Sequence, residues 1–107
     1  MGAVITVLFS PTERSLQDFE QLLTGLGALI RMSPPDGMES MSIQRTDRGP
    51  VIVQARWRSP DEQRTFRASP DGSRIFRAMS ACCADPPQTY VGEEDEGLSY
   101  YRNKAGR

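Results

Sequence analysis

Four stretches of the chain carry the apolar pattern of β-strands. Residues 3–9 are almost wholly apolar and rich in β-branched side chains, which predicts a central strand buried on both faces. Residues 38–46 alternate weakly and residues 51–57 alternate clearly, and the Asp-Arg-Gly-Pro turn at 47–50 predicts a hairpin between them. A short last strand is predicted over residues 88–91.

A first amphipathic helix is predicted between the first two strands. Apolar residues recur there at intervals of three and four, at Leu16, Phe19, Leu23, Leu26 and Ile30. The segment Ser10–Glu13 has the pattern of a capping box, and Ser15 is a second candidate cap one turn later. Gly25 and Gly27 weaken this helix and would either let it approach the sheet closely or kink it.

A second helix follows the third strand at once. Ser59–Glu62 repeats the capping-box pattern directly after Trp57, and Ser69-Pro70 divides the helix into two pieces. The element order is therefore β-α-β-β-α-β. It predicts an α+β fold of the ferredoxin-like kind, with an antiparallel sheet and its helices on one face.

Composition places the chain among single globular domains. Its 107 residues suit one domain, predicted over 1–91, followed by an acidic loop and a C-terminal arm or tail over 92–107. A net charge of −1 gives no electrostatic case for nucleic acid, and no apolar run reaches the length that spans a membrane. The adjacent thiols Cys82 and Cys83 cannot clip a fold together, so a reducing cytoplasm and packing roles are expected.

The chain contains no histidine, which removes many mechanisms. Nucleophile systems that depend on histidine, histidine-ligated haem and ordinary histidine-rich metal sites are excluded. Dinucleotide-binding and P-loop motifs are absent, and no carboxylates have metal-ligand spacing, so no cofactor or metal is predicted. A general base would have to be a carboxylate, a tyrosine, water or the substrate itself.

Several residues have both a structural and a functional interpretation. Trp57, the single tryptophan, is either a core anchor or one wall of a pocket for a flat aromatic ligand. Arg77 is either a surface arginine or a cation that stabilises an oxyanion. Tyr90 is a strand residue or a pocket phenol, Met41 is core filler or a flexible ligand wall, and Phe66 is the main apolar residue of the second helix.

Three short motifs together resemble the antibiotic biosynthesis monooxygenase family. They are the strand end Ala55–Trp57 running into Ser59–Glu62, the turn Pro34–Met38, and the late Pro86-Pro87 before Tyr90. The resemblance covers about residues 3–91. It implies a domain of the dimeric α/β barrel type that works as a homodimer, with sheets packed together.

The resemblance also implies an activity. Quinone-forming members are cofactor-independent monooxygenases that oxidise an aromatic polyketide, an anthrone or hydroquinone, with dioxygen. Their tryptophan and a later arginine match Trp57 and Arg77, the implied catalytic residues, whereas their asparagine and tyrosine are replaced by Val53 and Gln63. The expected substrate contacts are Gln63, Phe66, Tyr90 and Met41. The haem-degrading branch uses a histidine that this chain lacks.

Two alternatives remain open on the sequence. An aromatic polyketide cyclase would use the same fold without oxygen, so it would turn over anaerobically. A non-catalytic dimeric ligand-binding module is favoured by the departures at Val53 and Gln63.

Overall fold

The computed structural model describes residues 2–95 and 97–99 and has the predicted ferredoxin-like α+β fold. Its strands and helices are β1 (Ala3–Phe9), α1 (Leu16–Met32), β2 (Met38–Arg45), β3 (Val51–Trp57), α2 (Pro60–Ala68), α3 (Pro70–Ala81) and β4 (Gln88–Gly92). The four strands form one antiparallel sheet in the order β2-β3-β1-β4. The predicted hairpin and the predicted division of the second helix are both confirmed.

The sheet has one covered face and one open face. Ile5 pairs with Ala55 across β1 and β3, both are buried, and their face packs against the helices. The neighbours Val4 and Leu8 point the other way and are only half-buried. Within one chain, β1 is therefore covered on one face only, because the helices pack on one side of the antiparallel sheet.

The start of α1 also differs from the prediction. Pro11 forms an isolated bridge with Cys83, and the Thr12 N–H donates to the Cys82 carbonyl at 2.9 Å. These contacts hold the predicted cap segment in an extended conformation against the end of α3. A 3₁₀ turn over Glu13–Ser15 then begins with Thr12 Oγ1 accepting from Ser15 N at 3.2 Å, and α1 starts only at Leu16.

The predicted Ser59 cap of α2 is present, with Glu62 bonded to the Ser59 hydroxyl and not, as in a full capping box, to its backbone N–H. Ser59 Oγ accepts from Glu62 N at 3.3 Å and donates to Glu62 Oε1 at 3.0 Å, while the Arg58 guanidinium pairs with the same carboxylate. Ser69 ends α2 and caps α3, since its Oγ accepts from Gly72 N at 3.1 Å. This shared cap fixes the junction of the two helices.

Gly25 and Gly27 neither bring α1 close to the sheet nor interrupt the helix. The helix is continuous from its first to its last residue, and a Cβ atom at Gly25 or Gly27 would meet no atom within 4 Å. Both glycines can therefore be replaced without a steric conflict.

Two apolar clusters form the core on the covered face. One gathers Phe9, Phe19 and Leu23 with Met79 and the thiol of Cys82, and burial raises the pKa of that thiol. The other is smaller and consists of Ala3, Ile5, Ala55 and Trp57. Packing roles for the cysteines agree with this arrangement.

Past β4, the described part of the acidic segment folds back on the sheet, where the Glu94 carboxylate pairs with Arg56 on β3. The predicted arm at Tyr100 and Tyr101 lies outside the described residues. Among the described helices, none is both long enough and apolar enough to cross a bilayer.

Candidate functional site

A cavity of about 110 Å³ lies between the sheet and the helices. All four strands contribute to its floor, β4 through Thr89, while α1, α2 and α3 form its walls. Apart from Gln63, Arg67 and Thr89, the side chains that line it are apolar. This chemistry is typical of a small-molecule site, in which a few polar groups orient a ligand within an apolar pocket.

Trp57 supplies one wall of the cavity and is also part of the core. It is the last residue of β3, faces the helices and is 2% exposed. Its indole ring lies 5.8 Å from the Phe66 ring, centroid to centroid, at an interplanar angle of 36°. Trp57 is therefore both a core residue and a cavity wall, because the buried indole packs in the core and also borders the cavity.

Three more of the predicted site residues reach this cavity. Met41 lies on β2 opposite Ala55 and faces the helices. Gln63 and Phe66 lie three residues apart on α2, and both line the cavity. The chain therefore brings together Trp57, Met41, Gln63 and Phe66.

The structure places the other two predicted residues elsewhere. Arg77 is exposed on the outer face of α3, where its guanidinium donates to Ser73 Oγ at 2.9 Å. Its neighbour Phe76 lines the cavity, and adjacent residues of a helix project about 100° apart. Tyr90 is 57% exposed and pairs with Thr6, so it lies on the open face of the sheet.

Arg67 is the residue at the cavity that the sequence did not single out. Among the described residues it is the one charged side chain that lines the cavity, and its guanidinium carbon lies 3.5 Å from the centroid of the Phe76 ring. Partial desolvation lowers the pKa of this guanidinium, which nevertheless stays protonated. The spacing of Gln63, Phe66 and Arg67 at i, i+3 and i+4 places all three on one helix face, and that spacing could have identified it.

The lining residues contain no candidate general base. No carboxylate, tyrosine or cysteine is among the described side chains that border the cavity. The site can exclude water, stack an aromatic ring and present one cation and one amide. A proton removed from a ligand would have to pass to water or to a second group of the ligand.

The cavity is small for a polycyclic ligand. Pockets for drug-sized molecules usually hold about 300–1,000 Å³, whereas an apolar cavity of about 150 Å³ accepts benzene. The space of about 110 Å³ is smaller than both, so even one ring or the edge of a larger ring system enters only if the lining side chains move. Met38, Met41 and Met79 border it, and flexible methionine side chains can move to widen it.

No family model and no curated protein matches the sequence. Solved structures do match. A candidate antibiotic biosynthesis monooxygenase from Caulobacter crescentus is 15% identical with a TM-score of 0.77, over 89% of this chain and 91% of the other. SnoaB, a cofactor-independent oxygenase from Streptomyces nogalater, is 15% identical with a TM-score of 0.75, over 92% and 98%.

A dimeric ferredoxin-like protein of unknown function from Jannaschia has the same fold. It is 14% identical with a TM-score of 0.74, over 88% of this chain and 100% of the other. The resemblance predicted from the short motifs is thus confirmed at the level of the fold. Identities this low establish the fold alone.

Proposed function

We propose that this protein is a cofactor-independent oxygenase that oxidises an electron-rich aromatic compound with dioxygen, an anthrone-type polyketide or a hydroquinone. The observation that carries the proposal is the partly open, apolar cavity walled by Trp57, in a fold shared with SnoaB. Such a cavity can stack an aromatic ring and withdraw it from water. Both effects favour a reaction in which the substrate itself supplies the electrons.

The reaction can be written so that atoms and electrons balance. An anthrone loses one C–H proton, and the carbanion forms a C–O bond to dioxygen, which leaves a peroxide on that carbon. The second C–H proton is then lost as the O–O bond breaks, the carbon becomes a carbonyl, and the other oxygen leaves as water. The two C–H bonds supply all four electrons. A hydroquinone would instead give two electrons and two protons, and dioxygen would leave as hydrogen peroxide.

The protein's part in this chemistry is orientation and desolvation. Trp57 and Phe66 would flank the ring on one side, and Met41 would adjust to its width. Gln63 offers an amide to a phenolic or carbonyl oxygen. An anion held in such a dry site is stabilised most by a fixed cation, because the surrounding apolar groups screen charge poorly.

Purified protein should oxidise anthrone or a dihydroquinone faster than the spontaneous reaction, followed as quinone absorbance and dioxygen uptake. Val53→Phe should lower this rate at least about tenfold, because the added ring fills the cavity and excludes the substrate. Val91→Phe is the matched control, since Val91 is an exposed residue of the edge strand β4. An unchanged rate in Val53→Phe would mean that the reaction does not occur in this cavity.

A non-catalytic binding module is the second candidate, and the absence of a general base from the described lining residues favours it. Under that alternative, aromatic compounds would perturb Trp57 fluorescence and be recovered unchanged in air. Turnover without oxygen would instead indicate a cyclase.

We also propose that the protein forms a homodimer through the open face of its sheet. That face presents Leu8, Ile52 and Tyr90, with a hydrogen bond of 3.1 Å from Gln54 Nε2 to Thr6 Oγ1 between them. The same face carries the Arg56–Glu94 ion pair, so a partner would cover a mixed surface in which apolar side chains lie among paired polar groups, as in many protein interfaces. The dimeric neighbour from Jannaschia supports this proposal.

Sedimentation tests the dimer. The parent protein should sediment as a dimer, and Leu8→Glu should sediment as a monomer, because a charge buried between two sheets is costly. Leu16→Glu makes the same change at an exposed position of α1 and should leave the dimer intact. A monomeric parent protein would contradict the proposal.

A further inference from the structure

The environment of Arg67 differs from that of Arg64 and Arg74, and unlike Arg77, which also forms no ion pair with a described carboxylate, Arg67 lines the cavity. Arg64 and Arg74 each pair with an aspartate of the same helix, three residues earlier. Arg67 lies between them, and none of the carboxylates that the structure describes lies within ion-pair distance of it. Its charge is therefore left without an anionic partner at the cavity.

The Arg67 side chain is nevertheless held in place. The guanidinium lies over the face of Phe76, and the other ring neighbour of Phe76 is Phe9, at 5.8 Å between centroids. Cation–π contact of this kind attracts the charge and fixes its plane. The residue is exposed as a whole, and only partial burial lowers the pKa of its guanidinium, so the guanidinium lies at the mouth of the cavity and not inside it.

A partly desolvated cation without a counter-ion gains most from an anionic ligand. The planar guanidinium presents paired N–H donors that match a carboxylate or the oxygen of a phenolate. A ring placed against Trp57 and Phe66 would fill the apolar interior and leave a substituent at the mouth. The cavity is thus apolar inside and cationic at its entrance.

We propose that Arg67 binds the anionic group of the cavity ligand and so selects aromatic compounds that carry, or can form, an anion. Arg77, which the sequence resemblance favoured for this role, is exposed on the outer face of α3 and does not reach the cavity. A catalytic role for Arg67 rests on the proposed function, because the anion that Arg67 binds would be the one that reacts with dioxygen. The test of the inference uses compounds that are not oxidised, so the binding role of Arg67 and the proposed oxygenase function can fail separately.

Benzoate and nitrobenzene form a suitable pair of probes because they have nearly the same shape, and only benzoate is charged. Binding is measured by calorimetry, and quenching of Trp57, the single tryptophan, places the probe in the cavity. The parent protein should prefer benzoate. Arg67→Gln should weaken benzoate binding about tenfold, the loss expected for one charge-assisted contact at a partly exposed site, and leave nitrobenzene binding within about twofold.

Three further variants make the result specific. Arg67→Lys should keep part of the preference for benzoate, because it retains the charge without the planar fork. Arg64→Gln and Arg77→Gln should keep all of it, because neither side chain lines the cavity. The proposal is overturned if the parent protein binds both probes equally, if neither probe quenches Trp57, or if Arg67→Gln binds benzoate as well as the parent protein. It is also overturned if Arg77→Gln is the variant that loses the preference.

Discussion

Replacing Trp57 by alanine should lower the free energy of unfolding by about 3–5 kcal/mol, the usual cost of deleting a large aromatic side chain from a core. The indole is almost fully buried and packs with Ala3, Ile5 and Ala55. It also borders the existing cavity, so its removal would join two empty spaces into one. A protein of this size has about 5–15 kcal/mol of total stability, so the substitution would remove a large fraction of it.

Urea unfolding followed by far-ultraviolet circular dichroism measures this effect, because the variant has no tryptophan fluorescence. Trp57→Phe is the matched control, since it keeps an aromatic ring beside Phe66 and leaves a smaller void. It should lose clearly less stability than Trp57→Ala. A loss of less than about 1 kcal/mol in Trp57→Ala would contradict the core role and leave the indole as a cavity wall only.

The sheet and the α2–α3 pair could be predicted from the sequence because their signals are local. Alternation along β3 and the Ser59 cap depend on residues a few positions apart, and each fixes a face or a helix start. The pattern identified β1 as a strand but not its open face, since Val4 and Leu8 are as apolar as their buried neighbours. Which face the helices cover is a property of the whole fold.

The site was predictable only in part, for a similar reason. Trp57 and Met41 occupy the apolar positions of alternating strands, and both lie on the face that lines the cavity. The distance along the chain from Trp57 does not show which of Arg67 and Arg77 faces the cavity. Their directions depend on how α2 and α3 are rotated about their axes, and Ser69 and Gly72 set the junction between those helices.

That junction makes Gly72 the second position where a small change should have a large effect. A Cβ atom there would lie 2.1 Å from the Phe66 carbonyl oxygen, 3.0 Å from its carbon and 3.1 Å from Ser69 Oγ. The first two are backbone atoms, so no side chain can turn aside to relieve the overlap. Gly72→Ala should therefore destabilise the protein by about 2–3 kcal/mol, because α2 and α3 must move apart.

The same substitution on α1 gives a control of opposite sign. Gly25→Ala adds a methyl group where no atom lies within 4 Å, and alanine is the better helix former, so this variant should gain about 0.5–1 kcal/mol. The urea concentration at the unfolding midpoint should be lower than that of the parent protein for Gly72→Ala and higher for Gly25→Ala. Gly72 also borders the cavity beside Phe66 and Phe76, so Gly72→Ala should weaken binding of benzoate and of nitrobenzene together. Neutral stability in Gly72→Ala would mean that the helices approach less closely than the structure has them.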